Sequence, residues 1–184
     1  MLYDHLNMPF VDLLVYDWMH IYFVDGIYCK ELAALLELLE PHGFGAAALH
    51  GYMQMWVWPE CTHHSKDLCK TRGNKHTPNG SASEYLSTAQ ILRKWLIDVV
   101  APCGLHPAAV RSMIALLDVV DVLMQAQSGA LRPRTLEDLI LAHLRLHLDA
   151  YGAHTWKPKF NCALHLATML ETTRDLAIVF RLGA

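Results

Sequence analysis

From Gly26 onward the chain repeats one pattern, apolar residues at helical spacing closed off by proline, glycine or a small hydroxyl residue. Ile27, Leu32, Leu35, Leu36 and Leu39 recur at that spacing, Glu31, Glu37 and Glu40 are expected on other faces, and Pro41-His42-Gly43 stops the run. Ser81-Ala-Ser-Glu84 is a capping box, in which a hydroxyl and a carboxylate satisfy the first free amides of a helix; it predicts a helix to about Ala101, ahead of Pro102 and Gly104. Pro107 and Gly129 bracket a third, Pro107 to Gln127. There Val110, Met113, Ile114, Leu117, Val120 and Leu123 share a wide apolar face, so this helix is expected to be the most buried. A fourth runs from Thr135 to Gly152, and a further, mostly helical segment covers Ala163 to Phe180. Such a chain buries helical stripes against one another, and its class is mainly α.

The front differs. Val11 to Asp17 is short, apolar and bounded by Pro9 and an acid, which reads as a buried strand, so the expected fold is a helical domain with one or two short strands at the N-terminus. At 184 residues and 53% hydrophobic content the chain can bury one core, and residues 1–184 are read as a single domain. Residues 58–83 turn polar and form the expected long basic loop, with Lys66, Lys70, Arg72 and Lys75 beside several prolines and glycines. Pro41 to Pro59 carries no Asp, Glu, Lys or Arg, but Gly43, Gly45, Gly51 and Gln54 interrupt it before the ~20 apolar residues of a spanning helix. It is read as buried or interfacial, with no membrane span.

A formal net charge of −3 excludes a global basic signature, so any nucleic-acid footprint must be local. Five cysteines without the spacing of a secreted framework, and a first decapeptide unlike a signal peptide, point to a nuclear or cytoplasmic chain. The histidines, 12 of them, suggest metal. Cys61, His64, Cys69 and His76 could close a tetrahedral zinc shell within the polar loop, although their spacing matches no paired-knuckle pattern and a solvated basic loop explains them as well. His143 and His147 lie one turn apart on the fourth helix, spaced to share an ion, yet no glutamate completes an HExxH motif. Leu139, Leu144 and Leu148 around them suit boundary histidines of an amphipathic helix. GxSxG, P-loop and GxGxxG motifs are absent from the sequence.

Two stretches remain, Tyr16-Asp-Trp-Met-His20 and Lys157-Pro-Lys-Phe-Asn-Cys-Ala-Leu-His-Leu166. In that order, with a leucine-rich helix, a basic loop and three helices between them, they resemble the later half of the catalytic region of CACTA-type (En/Spm-like) DNA transposases and their transposon-derived relatives. The resemblance implies part of an RNase H-like core, in which three carboxylates hold two Mg²⁺ ions for in-line attack on DNA phosphate. Asp17 then takes the place of the second, catalytic carboxylate and metal ligand, with His20 as an added ligand, and the helices after it look like the insertion before the third acid. Lys66, Lys70, Arg72 and Lys75, with Lys157 and Lys159 as a second basic pair, become the DNA contacts. The chain also departs from the pattern: Asp4 and Asp12 do not match the first acid, Glu171 comes too early for the third, and Asn161 stands where the family expects histidine. The expectation is a fragment or decayed copy, inactive alone, which would be a Mg²⁺-dependent strand transferase or nuclease only with a complete core. Its partners would be DNA, itself, or the rest of that core. Two rival readings stand beside it: a helical protein-interaction or self-association module, which the mean hydropathy of +0.19 favours, and a zinc-binding protein.

Overall fold

Apolar stripes at helical period give helices throughout. The computed structural model describes residues 17–69, 78–126 and 132–173, and no strand occurs among them. The helices are α1 (Trp18–Tyr22), α2 (Ile27–Leu39), α3 (Ala46–Gln54), α4 (Ala82–Trp95), α5 (Pro107–Ala126), α6 (Pro133–Tyr151), α7 (Pro158–Leu164) and α8 (Leu166–Thr173). The strand expected over Val11 to Asp17 falls, up to residue 16, outside the described residues. Asp17 itself is the extended N-cap of α1.

The Ser81/Glu84 box caps α4 in both directions. Its C-terminal end differs from a plain helix: Leu96–Val100 widen into a π-turn and Ala101–Cys103 tighten into a 3₁₀ turn. Pro102 supplies the reason, since it donates no amide hydrogen and its ring conflicts with the Asp98 carbonyl four residues back. α6 starts two residues earlier than expected because Pro133 sits well in the first turn, and it ends at Gly152 as read. The C-terminal segment is two helices broken at His165, not one; residues 174–180 of the expected span lie outside the described residues. The expected loop 58–83 contains a helical piece: Glu60–Asp67 form a 3₁₀ helix, and residues 70–77 lie outside the described residues. That piece is tied to α3 through Lys66 O, which lies 3.1 Å from both Gln54 Nε2 and His50 Nδ1.

α5 and α6 make the broadest helix pairing, with α2, α4 and α8 packed around them. On α5, Val110, Met113, Leu117, Val120 and Leu123 are buried as the pattern predicts, Leu116 and Val119 join them, and Ile114 is only half-buried. Arg93 of α4 clamps α5 from the side, donating to Asp118 Oδ1 at 2.6 Å and Asp121 Oδ2 at 2.8 Å. The α1–α2 end carries an aromatic chain in which Phe23 lies 5.0 Å from Tyr28, and Tyr28 lies 5.6 Å edge-on from Tyr85. Gly26 makes that end possible. A Cβ there would meet Ile21 O at 2.3 Å, so only glycine lets α2 begin against the last carbonyls of α1. No single helix among the described residues is long and apolar enough to cross a membrane.

Candidate functional site

α1 is short, so its ends depend on side chains. Asp17 Oδ1 accepts from Met19 N at 2.9 Å, while Oδ2 sits 2.5 Å from His20 Nδ1, and both side chains face solvent, at 40% and 67% exposure. The other end is closed from far along the chain: Lys159 of α7 donates from Nζ to His20 O at 2.9 Å and also to Val24 O. An ammonium there answers carbonyls that have no helical partner and carry the negative end of the helix dipole. α7 is itself braced, with Trp156 and Phe160 stacked 5.0 Å apart and Trp156 Nε1 donating to Asn161 Oδ1 at 2.9 Å. The two sequence stretches singled out above therefore pack on each other through α1 and α7.

Beside this junction opens a cleft of about 390 Å³. Ile27 and Phe160 contribute apolar wall, and Lys30, Lys157, Lys159 and Asp25 its charges. Asp25 pairs with Lys30 at 2.5 Å, and that ammonium holds the Asp25 carboxyl below the usual carboxylate range. Three ammonium groups against one carboxylate suit an anion; Lys30 and Lys157 are both exposed, and Lys30 is already paired with Asp25. Asp17 is not among any group of three or more metal-ligating side chains formed by the described residues, so these residues assemble no pair of Mg²⁺ sites around it.

The remaining expected residues are scattered. Cys61 and His64 are exposed, whereas Cys69 is buried and its thiol is pushed up to about 12 by that burial, which disfavours the thiolate a zinc shell needs. Cys61, His64 and Cys69 do not converge, and His76 lies outside the described residues. Lys66 is half-buried and donates to His63 Nε2 at 2.7 Å; Lys70, Arg72 and Lys75 lie outside the described residues.

What the spacing of motifs missed is a buried cluster between α2, α5 and α6. His143 and His147 are not boundary residues, and Glu31 is not on a polar face; all three are buried. Glu31 Oε2 lies 2.8 Å from His143 Nε2 and 2.9 Å from His147 Nδ1, and Oε1 accepts from Ser112 Oγ at 2.7 Å. Behind His147, Thr155 donates to Gly152 O at 2.7 Å, so its oxygen is left to accept from His147 Nε2 at 3.0 Å. The His147 ring also lies 4.5 Å from that of Phe160, which joins the buried cluster to the cleft wall. Burial alone would raise the Glu31 carboxyl, but the charge and hydrogen bond of His143, followed by those of His147, more than reverse it and hold it at about 2. A signal for Glu31 was available, since it stands four residues after Ile27 and four before Leu35, in the middle of the buried stripe.

No protein-family model matches this chain, and no curated protein or solved structure does so either.

Proposed function

We propose that the chain is a transposase-derived helical domain, catalytically incomplete by itself, that contacts DNA phosphate through Lys157 and the basic cleft beside it. One observation carries the reading. The two stretches on which the transposase resemblance rests are far apart in sequence, yet they pack as α1 against α7, with Lys159 capping the helix that Asp17 begins. The Asp17 side chain, 40% exposed at the N-terminal end of α1, could serve as a metal-binding carboxylate of a larger core, and the cleft at the other end of that helix carries an excess of positive charge. One carboxylate cannot fix two ions ~4 Å apart, which is why activity is assigned to a fuller core and backbone contact to this chain.

The test is fluorescence anisotropy with a labelled DNA duplex across a salt series. Affinity should fall steeply between 50 and 200 mM salt, and Lys157→Ala should make the log–log slope shallower by about 1. Salt-independent binding, or a slope unchanged by Lys157→Ala, refutes the reading.

A second reading, self-association, is favoured by the end of α3, where Met55, Trp56 and Val57 are exposed, Val57 at 98%. Sedimentation giving a monomer at high micromolar concentration sinks it.

A further inference from the structure

We propose that Glu31, His143 and His147 form a buried site for one first-row divalent cation, with Zn²⁺ the best-fitting occupant. The cluster shares no residue with the DNA-contact reading and stands independently of it.

The donor set comes first. Two imidazole nitrogens and one carboxylate oxygen are a common protein share of a four-coordinate zinc shell, whereas Mg²⁺ prefers oxygen ligands and retains its waters. Here the three donors lie within 4.8 Å of one another. They are held by two helices far apart in sequence, α2 and α6, and all are buried.

Second, the outer contacts suit metal ligands. His147 points Nδ1 into the cluster and donates its other nitrogen to Thr155, whose hydroxyl is fixed by Gly152 O. Glu31 uses one oxygen for the cluster and receives Ser112 on the other. The hydrogen-bonded partners behind His147 and Glu31 set the tautomer and orientation of those two ligands. The fourth position falls to a water or to the hydroxyl of Tyr22 or Tyr151; both hydroxyls are buried, lack a hydrogen-bond partner and are close enough to interact with the Glu31 charge.

Third, the convergence of the donor atoms suits a cation. The ring nitrogens His143 Nε2 and His147 Nδ1 converge on one oxygen, Glu31 Oε2, while His143 Nδ1 is buried without a hydrogen-bond partner. With a cation, the lone pairs of His143 Nε2, His147 Nδ1 and Glu31 Oε2 all point to it. Bonds of about 2.0–2.1 Å in a tetrahedral shell set ligand atoms about 3.4 Å apart, so the present contacts of 2.8 and 2.9 Å must open by roughly half an ångström, with the two ring nitrogens within 4.8 Å of each other.

The full chain is stripped with chelator, dialysed against micromolar Zn²⁺ and assayed by elemental analysis, with Co²⁺ loading followed by visible absorption. About one equivalent should bind, Co²⁺ should give the intense bands of a four-coordinate N/O site, and Tm should rise by about 5–10 °C at zinc a hundredfold above Kd. Cys61→Ser with His64→Ala, which removes exposed ligands, should leave this unchanged. Glu31→Gln should abolish stoichiometric binding, and Thr155→Val, which removes only the hydroxyl behind His147, should weaken it by about 10–100-fold and keeps the test decisive if the glutamine variant fails to fold. Less than a tenth of an equivalent with no Tm change in the wild-type chain overturns the proposal. So does binding that depends on Cys61 and His64 but not on Thr155.

Discussion

Replacing Glu31 by glutamine removes one charge and almost nothing else. The glutamine carbonyl can face the two imidazole N–H groups while its amide donates to Ser112, whose hydroxyl turns round to accept, so the hydrogen-bond count survives. The loss is the attraction between a buried carboxylate and the two imidazoles, His143 first and His147 after it. The Glu31 carboxyl lies at about 2 against an ordinary 4.5, a gap of about 2.5 units that corresponds to roughly 3 kcal/mol in favour of the folded state. Because the folded value is the lower one, this contribution is fully present above pH 4.5 and is lost as pH falls from 4.5 towards 2. Urea unfolding in chelator, wild type against Glu31→Gln, should therefore show a difference of order 3 kcal/mol at pH 6 that narrows steadily below pH 4.5. Leaving the histidine side uncompensated in a buried site is known to cost about 3–5 kcal/mol in comparable pairs, which agrees in size. A glutamine variant within about 0.5 kcal/mol of wild type at pH 6, or a difference that does not move with pH, refutes the assignment of a buried charge pair.

Three further outcomes follow from local geometry. Gly26→Ala puts a methyl group 2.3 Å from Ile21 O, and because the obstacle is backbone the variant should lose at least about 2 kcal/mol by chemical denaturation; a near-neutral effect would mean that α1 slides freely on α2. Arg93→Ala removes a clamp of only 18% exposure between α4 and α5 and should cost about 1–2 kcal/mol in Tm-derived stability, with Asp118→Asn costing less because Asp121 still holds the guanidinium. Asp17→Ala should cost about 1 kcal/mol as a lost N-cap, and neither it nor the wild type should nick plasmid with Mg²⁺ or Mn²⁺. Mn²⁺-dependent nicking by the wild type alone would show that the carboxylate has catalytic partners in this chain.

The helices were legible because their signals are local. Ser81 and Glu84 announce α4, Pro107 announces α5, and Gly152 ends α6, each through backbone groups within a few residues. Pro102 was legible as a stop but not as a cause of the π-turn before it, which depends on how the last turn relieves the proline ring. Glu31 was misplaced because charge was allowed to outweigh phase; its position in the stripe was plain, but its partners lie 81, 112 and 116 residues downstream and no local pattern points to them. For the same reason His143 and His147 looked like boundary residues. Cys61, His64 and Cys69 failed in the opposite sense: close in sequence, they part in space because Leu68 and Cys69 turn inward while the preceding 3₁₀ helix leaves Cys61 and His64 outside.

The Lys159 strap sets an order of events during synthesis. Its acceptor His20 O precedes it by 139 residues, so at about 5–20 residues per second the ribosome needs roughly 7–30 s to deliver the group that closes α1. Glu31 waits almost as long for its histidines, 112 and 116 residues on. Throughout that interval Trp18 and Tyr22 of α1, buried in the finished fold, have no α7 packed against their helix. The nascent chain thus carries an uncovered aromatic surface on α1 for many seconds, and a truncation before α6 would leave it in that state permanently.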